Sequence, residues 1–212
     1  MRTTKQRWVV LCQRLGIKDS QATNTAINDT YDKLIAVYTA PDRHYHDLGH
    51  ISDGLEKIDE IPHSPERDIL EMAWWWHDFI YNPASSTNEK DSWTEADKAL
   101  TGLGLNIAFR VRVGQLIFNT THDHIPNTIW GQRIVDIDLS SLGAPPKVFD
   151  ENAVKIQREF NIPDEIFFST RVRFFTKFLK GRPTIYLTEY FRDKYEAQAR
   201  ENINRVIAQW SD

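Results

Sequence analysis

The stretch SPERDILEMAWWWHDFIY, residues 64 to 81, decides the fold. Ser64 followed by Pro65 has the form of a helix N-cap and a first-turn proline. Leu70, Ala73 and His77 then recur at intervals of three and four, which lines one face of a helix. The stretch closes on three consecutive tryptophans, then His77 and Asp78, in the most apolar setting of the chain. Aspartate is seldom buried without a partner. A carboxylate placed there calls for a cation or several donors. One reading is a metal ligand pair; the other is a helix-end aspartate bridged to one of the arginines.

The same period runs outward in both directions. Ile27, Tyr31, Leu34, Ile35 and Tyr38 share a face, as do Leu48, Ile51, Leu55 and Ile58. Ser86-x-x-Glu89 has the form of a capping box opening a helix through Trp93, Ala96 and Leu100. Asn106 opens the next, through Leu116 to about Thr121. Weaker helical signals cover 128–142 and 145–160. Pro163 with Asp164 and Glu165 opens another, with acids at the positive helix end. Thr188 opens the last, striped by Phe191, Tyr195, Ala199, Ile203, Ile207 and Trp210. No run alternates cleanly and no Asn-Gly or Asp-Gly hairpin appears. The expectation is all-α, about eight or nine helices, in one domain over 1–212. Its C-terminal helices, from about 145, would pack on the same core, with a soft seam near GAPP, 143–146.

Composition narrows the function classes. The 212 residues carry 26 basic and 30 acidic side chains, a net charge of -4 that gives no global case for a nucleic-acid polymer or an anionic membrane. One cysteine, Cys12, excludes an intramolecular disulfide and a cysteine-based zinc finger. No apolar stretch approaches the ~18 residues of a membrane span. These features lead to the expectation of a cytoplasmic protein.

RHYHDLGHI, residues 43 to 51, holds three of the seven histidines. His50 lies one turn from His46 and within about 40° of the stripe through Leu48, Ile51 and Leu55, so either His46 or His50 is a candidate ligand and His50 can point inward. The alternative is a histidine satisfied inside the core. DIDL offers Asp136 and Asp138, which face roughly opposite ways on a helix, so one of them can look at a site. Asp138, one turn before Leu142, is favoured. Imidazole with carboxylate suits Mn, Fe, Ni, Zn or Co better than Mg.

The order His50, then His77-Asp78, then Asp138 resembles the H…HD…D pattern of HD-domain metal-dependent phosphohydrolases. RHYHDLGHI, AWWWHDFIYNPASSTNE, TTHDH, DIDLSSLG and FLKGRPTIYLTEYFRDKYEAQARENI resemble a bacterial family of predicted metal-dependent HD phosphohydrolases over nearly the whole chain. The resemblance implies an HD-type helical bundle and metal ligands at His50, His77, Asp78 and Asp138. It also places Glu89, eleven residues after the HD pair, in proton transfer, in competition with its capping-box reading. The chain has Asp47 where the pattern expects asparagine, and its tryptophan run is bulkier than the pattern.

Further candidates surround this set. Asp78 could orient the attacking water as well as bind the ion. Arg43 and His44 are candidate phosphate contacts. His122, at a helix end, is a candidate second-metal or phosphate ligand, or a surface histidine at a helix C-terminus. His63 and His124 are read as non-ligands. From 166 to 188 there is no acid, while Arg171, Arg173, Lys177, Lys180 and Arg182 are basic. They form a candidate anionic collar, or else a solvated face. Tyr186 is a candidate nucleotide contact. Asp47 and Asp136 are candidate acceptors for the second N–H of the ligating histidines. The reading is a hydrolase using one divalent ion on a small phosphorylated substrate, a nucleotide foremost. An iron-dependent oxygenase and a metal- or nucleotide-binding sensor are the alternatives, and a homodimer stays open.

Overall fold

The computed structural model describes residues 4–18 and 20–210, with the side chains of 179–181 outside that description. Among the described residues the α-helices are α1 (Thr4–Arg14), α2 (Gln21–Tyr38), α3 (Leu48–Asp59), α4 (Pro65–Trp76), α5 (Asn88–Gly102), α6 (Ile107–Asn119), α7 (Ile129–Asp138), α8 (Pro146–Phe160), α9 (Asp164–Gly181) and α10 (Glu189–Trp210). A 3-10 segment, Leu139–Gly143, follows α7. The described residues include no strand, so the fold is all-α. The helix not read from the sequence is α1. Two compact units divide between Ile134 and Val135, inside α7, rather than at GAPP.

In the first unit α4 is buried continuously from Asp68 to Trp76. A helix covered on every side is a central one, and α1, α3, α5 and α6 pack against it. Its start is as the sequence indicates: Ser64 Oγ accepts from Arg67 N, ahead of Pro65. Trp74, Trp75 and Trp76 have no exposed surface. Each contributes about 4–6 kcal/mol of apolar burial as an upper bound. Trp8 of α1 donates Nε1–H to the Ile27 carbonyl at 3.0 Å and meets Trp75 edge-on at 5.7 Å. Two acids on α4 face α1. Arg14 bridges Asp68 at 2.8 Å and Glu71 at 2.6 Å, while Arg7 Nε reaches Glu71 at 2.9 Å. Buried carboxylates need such partners to offset desolvation.

In the second unit α10 packs on the 3-10 segment and on α9, and α8 packs on both of those as well. Asn202 Nδ2 donates to the carbonyls of Leu142 and Ala144, both at 2.9 Å. The Tyr186 hydroxyl donates to the Leu139 carbonyl at 3.0 Å. These bonds fix the backbone that follows Asp138.

Candidate metal centre

His50 stands in the first turn of α3. Asp47 is the N-cap, and its Oδ1 accepts from Gly49 N at 2.7 Å and His50 N at 3.1 Å. A Cβ at Gly49 would lie 2.8 Å from that oxygen, so the tight cap depends on glycine. Asp47 is therefore a helix cap, and not an acceptor for an imidazole N–H.

His77 caps the C-terminal end of α4, and Asp78 follows it. His77 Nδ1 lies 2.9 Å from the Trp74 carbonyl. A carbonyl only accepts, so Nδ1 carries the proton and Nε2 of the neutral ring presents a lone pair. That Nε2 lies 3.3 Å from His50 Nε2 and 2.9 Å from Asp78 Oδ2. His50 Nε2 and Asp78 Oδ2 are 3.5 Å apart. Asp138 is the last residue of α7, a helix whose first turns belong to the first unit. One ligand atom from each of His50, His77, Asp78 and Asp138 lies within 4.8 Å of the other three.

This donor set fits a divalent cation. Ligands about 2.05 Å from an ion are about 3.3 Å apart at a tetrahedral angle and about 2.9 Å at a right angle. The observed 3.3 and 2.9 Å spacings match those values. The lone pair of His77 facing a carboxylate is repulsive on its own, and a divalent cation between them would offset that repulsion.

Two further features hold the pair in place, and neither was anticipated from sequence. Trp74 stacks on His77 at 4.1 Å and lies 5.0 Å from the His50 ring, closing one side of the cluster. Its indole N–H donates to the Ile51 carbonyl at 2.9 Å. Gly54 on α3 makes room, since a Cβ there would come within 2.1 Å of the Trp74 ring. A glycine inside a helical period is the signal that could have revealed this close approach. Arg43 is the second feature. Its Nη1 donates to the carbonyls of His46 and Asp78 at 3.1 and 2.8 Å, and its Nη2 to that of Phe79 at 2.9 Å. The sequence offers Arg43 as a candidate phosphate contact; in the structure it donates to the carbonyls of Asp78 and Phe79, just beyond α4, and of His46, just before α3.

The remaining candidates divide. Glu89 is half-buried in the first turn of α5. The capping box does not form, because Thr87 is the N-cap and makes no side-chain cap bond. Asp136 is wholly buried and accepts from Leu187 N, Thr188 N and Thr188 Oγ1 at 2.7, 2.8 and 2.6 Å. It anchors the loop before α10 and is not an acceptor for an imidazole. Burial raises its carboxyl above the ordinary range, opposed by those three donors. Tyr186 has no exposed surface and its hydroxyl is engaged, so it offers no face to a nucleotide. Arg171 lies over Phe149 at 4.7 Å, and Arg182 lies over Phe178 at 4.4 Å. The side chain of Lys180 is outside the described residues. His122 has a left-handed backbone, φ 57°, just beyond α6, and is not among the four clustered residues. His44 is half-buried in the loop before α3. His63 sits 3.3 Å from Asp68 and His124 Nε2 sits 3.1 Å from Asn119 Oδ1, both away from the cluster set.

Against protein-family models, curated proteins and solved structures, the chain finds no match.

Proposed function

We propose that this chain is a divalent-metal-dependent phosphohydrolase acting on a small phosphorylated metabolite, with a nucleotide as the foremost case. One observation carries the reading: two imidazoles and two carboxylates, drawn from three distant stretches of sequence, offer ligand atoms within 4.8 Å of one another. His50, His77, Asp78 and Asp138 would hold the ion. When bound, it supplies Lewis acidity toward a phosphoryl oxygen and brings the pKa of a coordinated water down from 15.7 toward ~7.

The side chains supply the rest. His77 keeps the tautomer set by the Trp74 carbonyl, so its Nε2 is always the ligating atom. Asp78 presents Oδ2 to both histidines and would help orient a coordinated water. Glu89, in the first turn of α5, would accept the proton of the attacking water. The buried Trp74 indole excludes bulk water from one side, which strengthens electrostatic interactions on the other.

The test is elemental analysis of the purified chain, coupled to a phosphatase and pyrophosphatase screen across nucleotides with Mn, Ni, Co, Zn and Mg added in turn. One ion per chain with phosphate release supports the proposal. Two irons with oxygen-dependent turnover would replace it with an oxygenase. A bound ion without turnover across the panel would leave a sensor.

A further inference from the structure

Tyr38 is the last residue of α2 and has no exposed surface. Its hydroxyl donates to the Trp75 carbonyl at 3.0 Å. In a helix that continued, that carbonyl would take the N–H of Phe79, four residues on. Phe79 N bonds to the Trp76 carbonyl instead, at 3.2 Å. The Tyr38 hydroxyl supplies the donor that the Trp75 carbonyl thereby lacks. The backbone N–H of Asp78 reaches the same hydroxyl. Burial pushes this hydroxyl well above its ordinary pKa, and the charge of Asp78 adds to the rise against Arg43 and that N–H, so the group stays protonated and keeps donating.

Where α4 ends matters for the centre. Adjacent residues of a helix point about 100° apart. His77 and Asp78 can therefore aim at one point only where the chain leaves the helix. Asp78 Oδ2 does lie 2.9 Å from His77 Nε2. Both backbone groups of Asp78 are held from outside α4: the N–H by Tyr38, and the carbonyl by Arg43 Nη1 at 2.8 Å. The Arg43 guanidinium also lies over the Tyr38 ring, 5.7 Å from its centroid. These two side chains fix the peptide units on both sides of the Asp78 α-carbon, and with them the direction in which its side chain leaves the backbone.

We infer that Tyr38 is a positioning residue of the metal centre, whose hydroxyl ends α4 at the turn that brings the Asp78 carboxylate beside His77. The inference rests on the metal reading and deepens it, by naming a group outside the ligand set that governs affinity for the ion.

The experiment uses the full chain titrated with Co, whose visible absorption reports the geometry of its ligands. Tyr38→Phe keeps the ring beside Arg43 and removes the hydroxyl. The expected result is Co affinity lower by about tenfold or more, the scale for losing a group that orients a metal ligand, together with a changed visible spectrum. Tyr31→Phe is the comparison. It removes another buried hydroxyl of α2, one bonded to Thr4 Oγ1 at 2.6 Å, and is expected to keep wild-type affinity and spectrum. Wild-type affinity and spectrum in Tyr38→Phe overturn the inference and leave the metal reading standing. An equal change in both variants also overturns it, since that marks a general loss of packing. If Tyr38→Phe does not fold, amide hydrogen exchange of the wild-type chain without metal decides. A protected Asp78 N–H supports the inference, and exchange at the rate of an unstructured peptide overturns it. A wild-type chain that binds no Co removes the metal reading together with this one.

Discussion

His77 Nδ1 and the Trp74 carbonyl, 2.9 Å apart on adjacent turns of one helix end, select the tautomer of a buried histidine. The backbone that ends α4 thereby decides which ring nitrogen faces His50 and Asp78. His77→Ala is expected to abolish binding of a divalent ion. His63→Ala, which removes only an exposed partner of Asp68, should leave it intact. Equilibrium dialysis against Mn or Ni with elemental readout separates the two, and equal metal content in the variants would count against the centre.

Gly54→Ala tests the support beneath the pair. The added methyl would come within 2.1 Å of the Trp74 ring, which stacks on His77. Overpacking of this kind costs about 1–3 kcal/mol, set against up to about 1 kcal/mol gained from replacing glycine in a helix. The expected outcome is a lower denaturation midpoint together with weaker metal binding. A stabilised variant with unchanged affinity would show that Trp74 does not position His77.

Cys12 is wholly buried on α1, and burial, with a smaller contribution from the charge of Glu71, pushes its thiol up to about 12. The thiolate is the reactive form, so the native chain should resist iodoacetamide at pH 8 and react fully in denaturant. Labelling rates against denaturant then report opening of the α1–α4 packing. Rapid labelling of the native protein would contradict the packing of α1.

Glu95 gives a pH dependence. Lys33 Nζ at 2.8 Å and Lys98 Nζ at 2.7 Å hydrogen-bond its carboxylate and hold it down at about 2, from an ordinary 4.5. A depressed carboxyl stabilises the fold above its unfolded value, and that contribution is lost as pH falls from 4.5 to 2. The side chain is partly exposed at the surface, so the effect is under about 1 kcal/mol and shrinks in salt. Thermal melts should show Glu95→Gln less stable than the parent at pH 6 in low salt, with the gap closing toward pH 2. A gap that is constant with pH would exclude the ion pairs as its source.

The metal cluster was legible because each ligand sits in a local pattern: His50 beside an apolar stripe, His77-Asp78 after an apolar run, Asp138 opposite Asp136. The caps at Ser64 and Asn106 were legible for the same reason, since each bonds within three residues. What failed to show depends on contacts distant in sequence. Ser86 does not open α5, because Asn82 and Asn88 bond to each other across the turn and move the N-cap one residue on, to Thr87. Tyr186 looked available, yet Glu196 and Asp136 pin the loop around it from ten and fifty residues away. α1 is the exception: its buried Trp8, Leu11 and Cys12 are spaced as one helix face, yet it went unread in the sequence.

Arg43 ties the strands of loop that bear His46 and Asp78 to one planar cation. The backbone around Asp78 and the start of the His50-bearing segment is thereby held together by protein groups alone, so an ion bound there would be expected to order little chain. Loading should then raise the melting temperature by mass action alone, in step with the logarithm of free metal concentration, with helix content the same in the stripped and the loaded protein.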